Sequence, residues 1–257
     1  MKVVILAGGL GSRLTEETTA KPKPLIEIGT MPIIWHIMKI YSYYGLNDFV
    51  ICCGYKGNLV KEFFFNYSLY TTDVTIDVKK NKLIVHDKQT ESWKVSLVNT
   101  GEFTATGGRI KMIKDYVGDT FCLTYGDGLS SINIKNLIKF HINNKKLATV
   151  SAVRPPARFG ALHIKGNSVV NFQEKPTGDG GRINGGYFVL SKKIFDYIKD
   201  KDTVWEKEPL ENLAKNNQLA AYTFNEFWYA MDTMRDKIYL ENLWLTNKAP
   251  WKVWSKD

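Results

Sequence analysis

An apolar run that breaks abruptly into glycine constrains the fold more than any other segment of the chain. Val3 to Leu6 suits a strand buried on both faces, as in a parallel sheet. Ala7-Gly8-Gly9-Leu10-Gly11-Ser12-Arg13-Leu14 follows at once, and Lys21-Pro22-Lys23-Pro24 comes shortly after. The glycines let the backbone turn tightly and bring its N–H groups close to a ligand. Successive inward N–H groups make an anion nest, to which Arg13 and Lys23 add full charges. The segment reads as a polyphosphate site at the carboxyl end of the first strand.

Two commoner phosphate patterns do not match, which counts against a P-loop and against a dinucleotide-dependent oxidoreductase. A dinucleotide fingerprint needs a third glycine where Leu14 stands, and a P-loop needs a G-x-x-x-x-G-K-[ST] string that does not occur. An ordinary strand–turn with spare glycines is the plain alternative.

With 257 residues and 44% hydrophobic content, the chain can bury a core in one large domain, or in one domain plus an appendage. The net charge of +9 comes from scattered lysines, with no basic helix or nucleic-acid module. Small anionic substrates or solvated surface explain it, and no nucleic-acid partner is expected. Cys52, Cys53 and Cys122 lie in apolar runs and read as buried, inert thiols without metal spacing. The N-terminal run is too short for a signal peptide and nothing approaches a membrane span, so a cytoplasmic protein with no membrane partner is expected.

Strand and helix patterns alternate at first. Ile34, Ile37, Met38 and Tyr41 line one helical face, and Asp48 to Cys53 reads as a second buried strand. That order predicts a parallel sheet. Val74, Ile76 and Val78 then alternate with polar residues, Leu83 to Val85 return after a lysine-rich turn, and Trp93 to Val98 can add a strand. The expectation is an antiparallel excursion over about 70–100. Further strands are expected at Phe121–Thr124, Ala148–Val153, Ala161–Ile164, Val169–Phe172 and Gly186–Leu190. Helices are expected at Ile134–Asn143, Ile194–Ile198 and Pro209–Asn216. A last helix, over about 233–247, carries Met234, Ile238, Leu243 and Trp244 on its apolar side. Thr233-Met234-Arg235-Asp236 reads as its capping box.

The N-terminal motif with Lys21-Pro22-Lys23-Pro24-Leu25 resembles the signature of the sugar-nucleotide pyrophosphorylases, a nucleotidyltransferase family. Tyr125-Gly126-Asp127-Gly128, Phe172-Gln173-Glu174-Lys175-Pro176, Asn184-Gly185-Gly186-Tyr187 and Trp228-Tyr229-Ala230-Met231-Asp232-Thr233 match further family motifs in order. Val50 to Gly57, Thr106-Gly107-Gly108-Arg109, Arg158 to Leu162 and Lys248 to Lys252 are most like the cytidylyltransferase branch. The resemblance implies one three-layer α/β/α, Rossmann-like domain over 1–257, with a mixed, mostly parallel sheet and a small β excursion. It also implies a Mg²⁺-dependent reaction of CTP with α-D-glucose 1-phosphate, giving CDP-glucose and pyrophosphate for deoxysugar and surface-polysaccharide synthesis. A homo-oligomer, by family likeness a hexamer, is the expected assembly.

Site residues follow from the same likeness. Leu6, Ala7, Gly8, Gly9, Leu10, Gly11 and Ser12 would cradle the nucleotide, with Arg13 on the leaving pyrophosphate and Lys23 on the reacting phosphates. Asp127 and Asp232 are the metal candidates, and Asp127 is grouped with Arg13 and Lys23 as catalytic. Thr104, Thr106, Gly107 and Arg109 would meet the base, and Gly128 the nucleotide. Glu174, Lys175, Asn184 and Gly185 would hold the sugar phosphate, under a loop at 178–181. Plainer readings stay open at each: a surface cation, a turn aspartate before Gly128, a helix-start aspartate at Asp232, a charged turn at Glu174-Lys175, a tight turn at 104–109. The function alternatives are another base (dTTP or UTP) or another sugar phosphate, and a catalytically silent sugar-nucleotide-binding subunit. The four histidines (His36, His86, His141, His163) show no metal spacing.

Overall fold

Seven strands form the central sheet: β1 (Val3–Ala7), β2 (Asp48–Cys53), β3 (Lys94–Asn99), β4 (Thr120–Tyr125), β5 (Ala148–Val153), β6 (Ile183–Ser191) and β7 (Leu219–Thr223). The structure, a computed structural model, describes residues 1–11, 14–86, 91–155, 161–165, 167–173 and 181–255. Across the sheet the order is β7-β5-β6-β4-β1-β2-β3. β1 pairs in parallel with both β2 and β4, β2 with β3, and β5 with β7. β6 alone runs antiparallel, against β4 and β5. The chain leaves β1 toward β2 and later returns to its other side as β4. A crevice therefore opens beyond the carboxyl ends of β1 and β4, where such a reversal of strand order places ligands.

Alternation along β1 divides the core. Val3, Ile5 and Ala7 pack on one face with α1 (Ile33–Tyr43), whose Ile33, Ile34, Ile37, Met38 and Tyr41 are fully buried. Val4 and Leu6 pack on the other face with Ile110, Phe121, Phe188, Trp205 and Leu213. Helices cover both faces: α2 (Gly57–Phe65), α3 (Thr106–Met112), α4 (Ile134–Asn144), α5 (Glu208–Lys215) and α6 (Met234–Leu245) complete the layers. The three cysteines are buried and free, and burial pushes the Cys53 thiol up to about 11 and that of Cys122 up to about 12. No described helix is long and apolar enough to cross a membrane.

Two expectations need correction. The excursion is shorter than 70–100: Val74–Asp77 and Lys82–Val85 form an isolated antiparallel hairpin, whereas β3 joins the main sheet as a parallel edge strand. Its register partner, β2, lies far back in the sequence, so local alternation carried no sign of it. The strands expected near Ala161 and Val169 are present, and among the described residues Ala161–Lys165 and Ser168–Gln173 pair with each other as a separate ribbon. On α6, Ile238 is exposed, and Leu240 with Asp236 turns inward instead. Met234, Leu243 and Trp244 do pack on the core, so the buried stripe is narrower than the run of apolar residues.

Candidate active site

Pro22 and Pro24 fix the backbone on either side of Lys23, which opens a single 3₁₀ turn, Lys23–Leu25. That turn aims the ammonium into the crevice, where Nζ donates to Asp127 Oδ2 at 2.7 Å and to Asp232 Oδ1 at 2.8 Å. Burial pulls the Lys23 pKa down, but the charges and hydrogen bonds of the two aspartates outweigh it and leave it above the ordinary lysine range.

Short local devices deliver both carboxylates. Asp127 sits in the turn after β4, where Gly126 packs so closely on Leu6 that a Cβ would stand 2.8 Å from its carbonyl oxygen. Trp228–Ala230 pairs antiparallel with Gly128–Ser130, and the Met231 amide donates to the Asp127 carbonyl at 2.9 Å. Asp232 therefore arrives beside Asp127. The capping box then locks it: Asp236 Oδ2 accepts from the amides of Asp232 (3.1 Å) and Thr233 (2.8 Å), and the Asp236 amide donates to the Thr233 hydroxyl. Asp236 is buried, and the Tyr229 hydroxyl also donates to it.

The floor is the glycine turn. Gly11 takes a positive φ of 65°, and its carbonyl accepts from the Leu14 amide. Behind the turn, Arg109 is buried. Its Nη1 donates to Thr100 Oγ1 (2.7 Å) and the Gly101 carbonyl (2.6 Å), its Nη2 to the carbonyls of Gly8 (2.9 Å) and Glu102 (3.0 Å). Burial pushes its pKa down from the ordinary arginine value. A Cβ at Gly8 or Gly54 would stand 2.2–2.3 Å from Nη1, so both glycines make room for the guanidinium.

The cleft has a volume of about 600 Å³. Of the expected residues, Leu6, Ala7, Gly8, Gly9 and Gly11 line the cleft, as do Lys23, Asp127 and Asp232, and Thr104, Thr106 and Arg109. Leu10, Gly107, Gly128, Asn184 and Gly185 stand outside that lining. Gly107 faces the Thr203 carbonyl, where a Cβ would come within 2.6 Å, and so seats α3 on the 200–206 loop. Gly128 accepts from the Tyr187 hydroxyl, and Asn184 donates to that of Tyr125. Ser12, Arg13, Glu174, Lys175, most of the 178–181 loop and Arg158-Phe159-Gly160 lie outside the described residues.

Among the lining residues without a sequence expectation of their own, three carry polar side-chain contacts. Trp228 is pinned by its Nε1, which donates to the Gly185 carbonyl at 2.6 Å. Tyr125 and Glu206 are joined by a 2.6 Å hydrogen bond. Trp228 and Tyr125 fall inside recognised motifs, which were the available signal; Glu206 falls in none.

No three His, Cys, Asp or Glu side chains cluster for a metal among the described residues. Two carboxylates facing one cleft nevertheless suit Mg²⁺, a hard cation that takes one or two protein carboxylates and fills its shell with phosphate oxygens and water.

A sequence model of the nucleotidyl transferase family matches residues 2–242. The chain belongs to that family. It is 54% identical over 256 residues to the glucose-1-phosphate cytidylyltransferase of Salmonella typhimurium, covering 99% of this chain and 100% of that one. It is 46% identical, with the same coverage, to the probable glucose-1-phosphate cytidylyltransferase of Bacillus subtilis. HddC from Yersinia pseudotuberculosis has the same fold, with a TM-score of 0.69 at 23% identity over 95% of this chain and 99% of that chain. So does UDP-glucose pyrophosphorylase complexed with UDP-glucose, at 0.69 and 16% over 96% and 98%.

Proposed function

We propose that this chain transfers the cytidylyl group of CTP to α-D-glucose 1-phosphate, giving CDP-glucose and pyrophosphate. The observation that carries the reading is the full-length identity with glucose-1-phosphate cytidylyltransferases. The convergence of Lys23, Asp127 and Asp232 at a glycine-floored cleft supports it.

A phosphate oxygen of the sugar phosphate attacks the α-phosphorus in line. The new P–O bond forms as the bond to the β-phosphate oxygen breaks, and pyrophosphate carries away the electron pair. Such transfers ask the protein for positioning and charge neutralisation rather than covalent work. In this reading the turn amides of Gly8 to Ser12 and the Arg13 side chain hold the triphosphate. Lys23, already oriented by two carboxylates, exchanges part of that pairing for the reacting phosphates. Asp127 and Asp232 would hold Mg²⁺, which supplies charge neutralisation at the phosphate oxygens when bound. Thr104, Thr106 and Arg109 form the base end, Arg109 by fixing the Gly8 carbonyl and the 100–102 turn. Lys175, with Glu174 and Asn184, takes the sugar phosphate.

We also infer that copies of the chain associate through the 74–85 hairpin, whose Ile76, Val78, Leu83 and Ile84 are exposed. Light scattering that reports a monomer would remove this part. The cytoplasm is the compartment in this reading. The enzymatic reading is tested by pyrophosphate release from CTP, UTP, dTTP, ATP and GTP with glucose 1-phosphate, with and without Mg²⁺. Release confined to CTP with Mg²⁺ is expected; release with another base alone overturns the choice of CTP.

A further inference from the structure

Glu206 is held from two walls of the cleft at once. Its Oε2 accepts from the Thr106 hydroxyl at 2.6 Å, and its Oε1 accepts from the Tyr125 hydroxyl at 2.6 Å. Each of those hydroxyls is itself fixed. Thr106 Oγ1 accepts from the Trp205 amide at 2.9 Å, and the Tyr125 oxygen accepts from Asn184 Nδ2 at 3.2 Å. The carboxylate is thus oriented, yet it remains exposed to the cleft it lines. With one donor on each oxygen, each keeps accepting capacity for a ligand.

Its charge is the puzzle. Asp127 and Asp232 also line the cleft, but they share the Lys23 ammonium, whereas the described hydrogen bonds to Glu206 come from neutral hydroxyls. A bare negative charge opposes a triphosphate in the same cleft, unless a hydrogen-bond donor of the ligand meets it.

We propose that Glu206 reads the exocyclic amino group of cytosine and so sets the choice of base, an inference that rests on the CTP reading above. Cytosine presents N4–H donors where uracil and thymine present the O4 acceptor. A carboxylate at that position attracts the first and repels the second, selecting in both directions. The other polar side chains of the 104–109 segment do not select that amino group. Both Arg109 Nη atoms are committed to Thr100, Gly101, Gly8 and Glu102, and a guanidinium only donates. The Thr106 proton is committed to Glu206 itself. Thr104 offers a neutral hydroxyl, which serves an amino group or a carbonyl equally.

The test compares kcat/KM for CTP, UTP and the triphosphate of the pyrimidin-2-one ribonucleoside, which lacks the amino group. It uses the wild-type protein, Glu206→Gln and Glu206→Ala, and records KM for glucose 1-phosphate alongside. Wild type should prefer CTP over the pyrimidinone nucleotide by on the order of tenfold to a hundredfold, the range of a hydrogen bond to a charged group. Glu206→Ala should treat those two alike. Glu206→Gln, whose amide can donate to O4, should raise UTP relative to CTP by roughly tenfold or more. Equal use of CTP and the pyrimidinone nucleotide by wild type overturns the inference without any variant. Variants that keep the wild-type preference but raise KM for glucose 1-phosphate also overturn it, by moving Glu206 to the sugar. Wild type silent with CTP but active with another base defeats the CTP reading itself, in an arm that involves no variant.

Discussion

Lys23 binds two carboxylates with one ammonium, and the cost of removing it divides between charge and shape. Lys23→Met keeps the stem but removes the ammonium that Asp127 and Asp232 share and that would meet the reacting phosphates. Loss of one preorganised charge at a reacting phosphate is expected to lower kcat by about 10²–10³-fold. The melting temperature should move by only a few degrees, because none of the three groups belongs to either core layer. A fall in kcat below about tenfold would remove Lys23 from the reacting phosphates. At this scale the sequence was informative where residues come in strings. Prolines on both sides marked Lys23, and flanking motifs marked Asp127 and Asp232. Glu206 and the Trp228 ring were not legible in their roles, because nothing near Glu206 in the chain reveals that Thr106 and Tyr125 will meet it.

Helix α6 shows what a single element contributes beyond its own stability. Its Thr233 cap and the buried Asp236 hold the Asp232 amide, so the start of the helix is also the support of a site carboxylate. Thr233→Ala is expected to cost about 0.5–2 kcal/mol of stability. It should also lower kcat while Thr233→Ser restores both. A loss of stability with kcat unchanged would separate the cap from the site. The capping box was readable because it is local: four consecutive residues determine it. The parallel placement of β3 was not, because six residues of strand-like pattern name no partner, and the partner here is β2 across α2 and the hairpin. Ile238 stays outside the buried side of α6 for a related reason, since composition says which residues are apolar but not how wide a stripe the neighbouring layer can cover.

Across the whole molecule, the far ends of the sequence close on each other around α1. His36 is fully buried, its Nε2 donates to the Ile28 carbonyl at 2.9 Å, and its Nδ1 accepts from Trp251 Nε1 at 3.3 Å. Trp35, Trp244 and Trp254 surround the ring. Burial pushes the imidazole down to about 4, so between that pH and the ordinary value of 6.5 the unfolded chain binds the extra proton. Stability is therefore lost as pH falls through that window, and His141, also pushed down by burial, adds in the same direction. Melting temperatures recorded from pH 7 to 4.5 should fall more steeply for wild type than for His36→Gln. Equal slopes would assign the loss to other groups.

Lys23 and Asp232 are separated by 209 positions in the chain. A ribosome releases them in order, and the first strands can begin to associate while the later ones are still unmade. The half-built chain carries the residues of the glycine floor and the lysine, but neither the second carboxylate nor the tryptophan that donates to His36. Its chemistry must wait for the closing segment, so the last stretch to leave the ribosome decides when the cleft is complete.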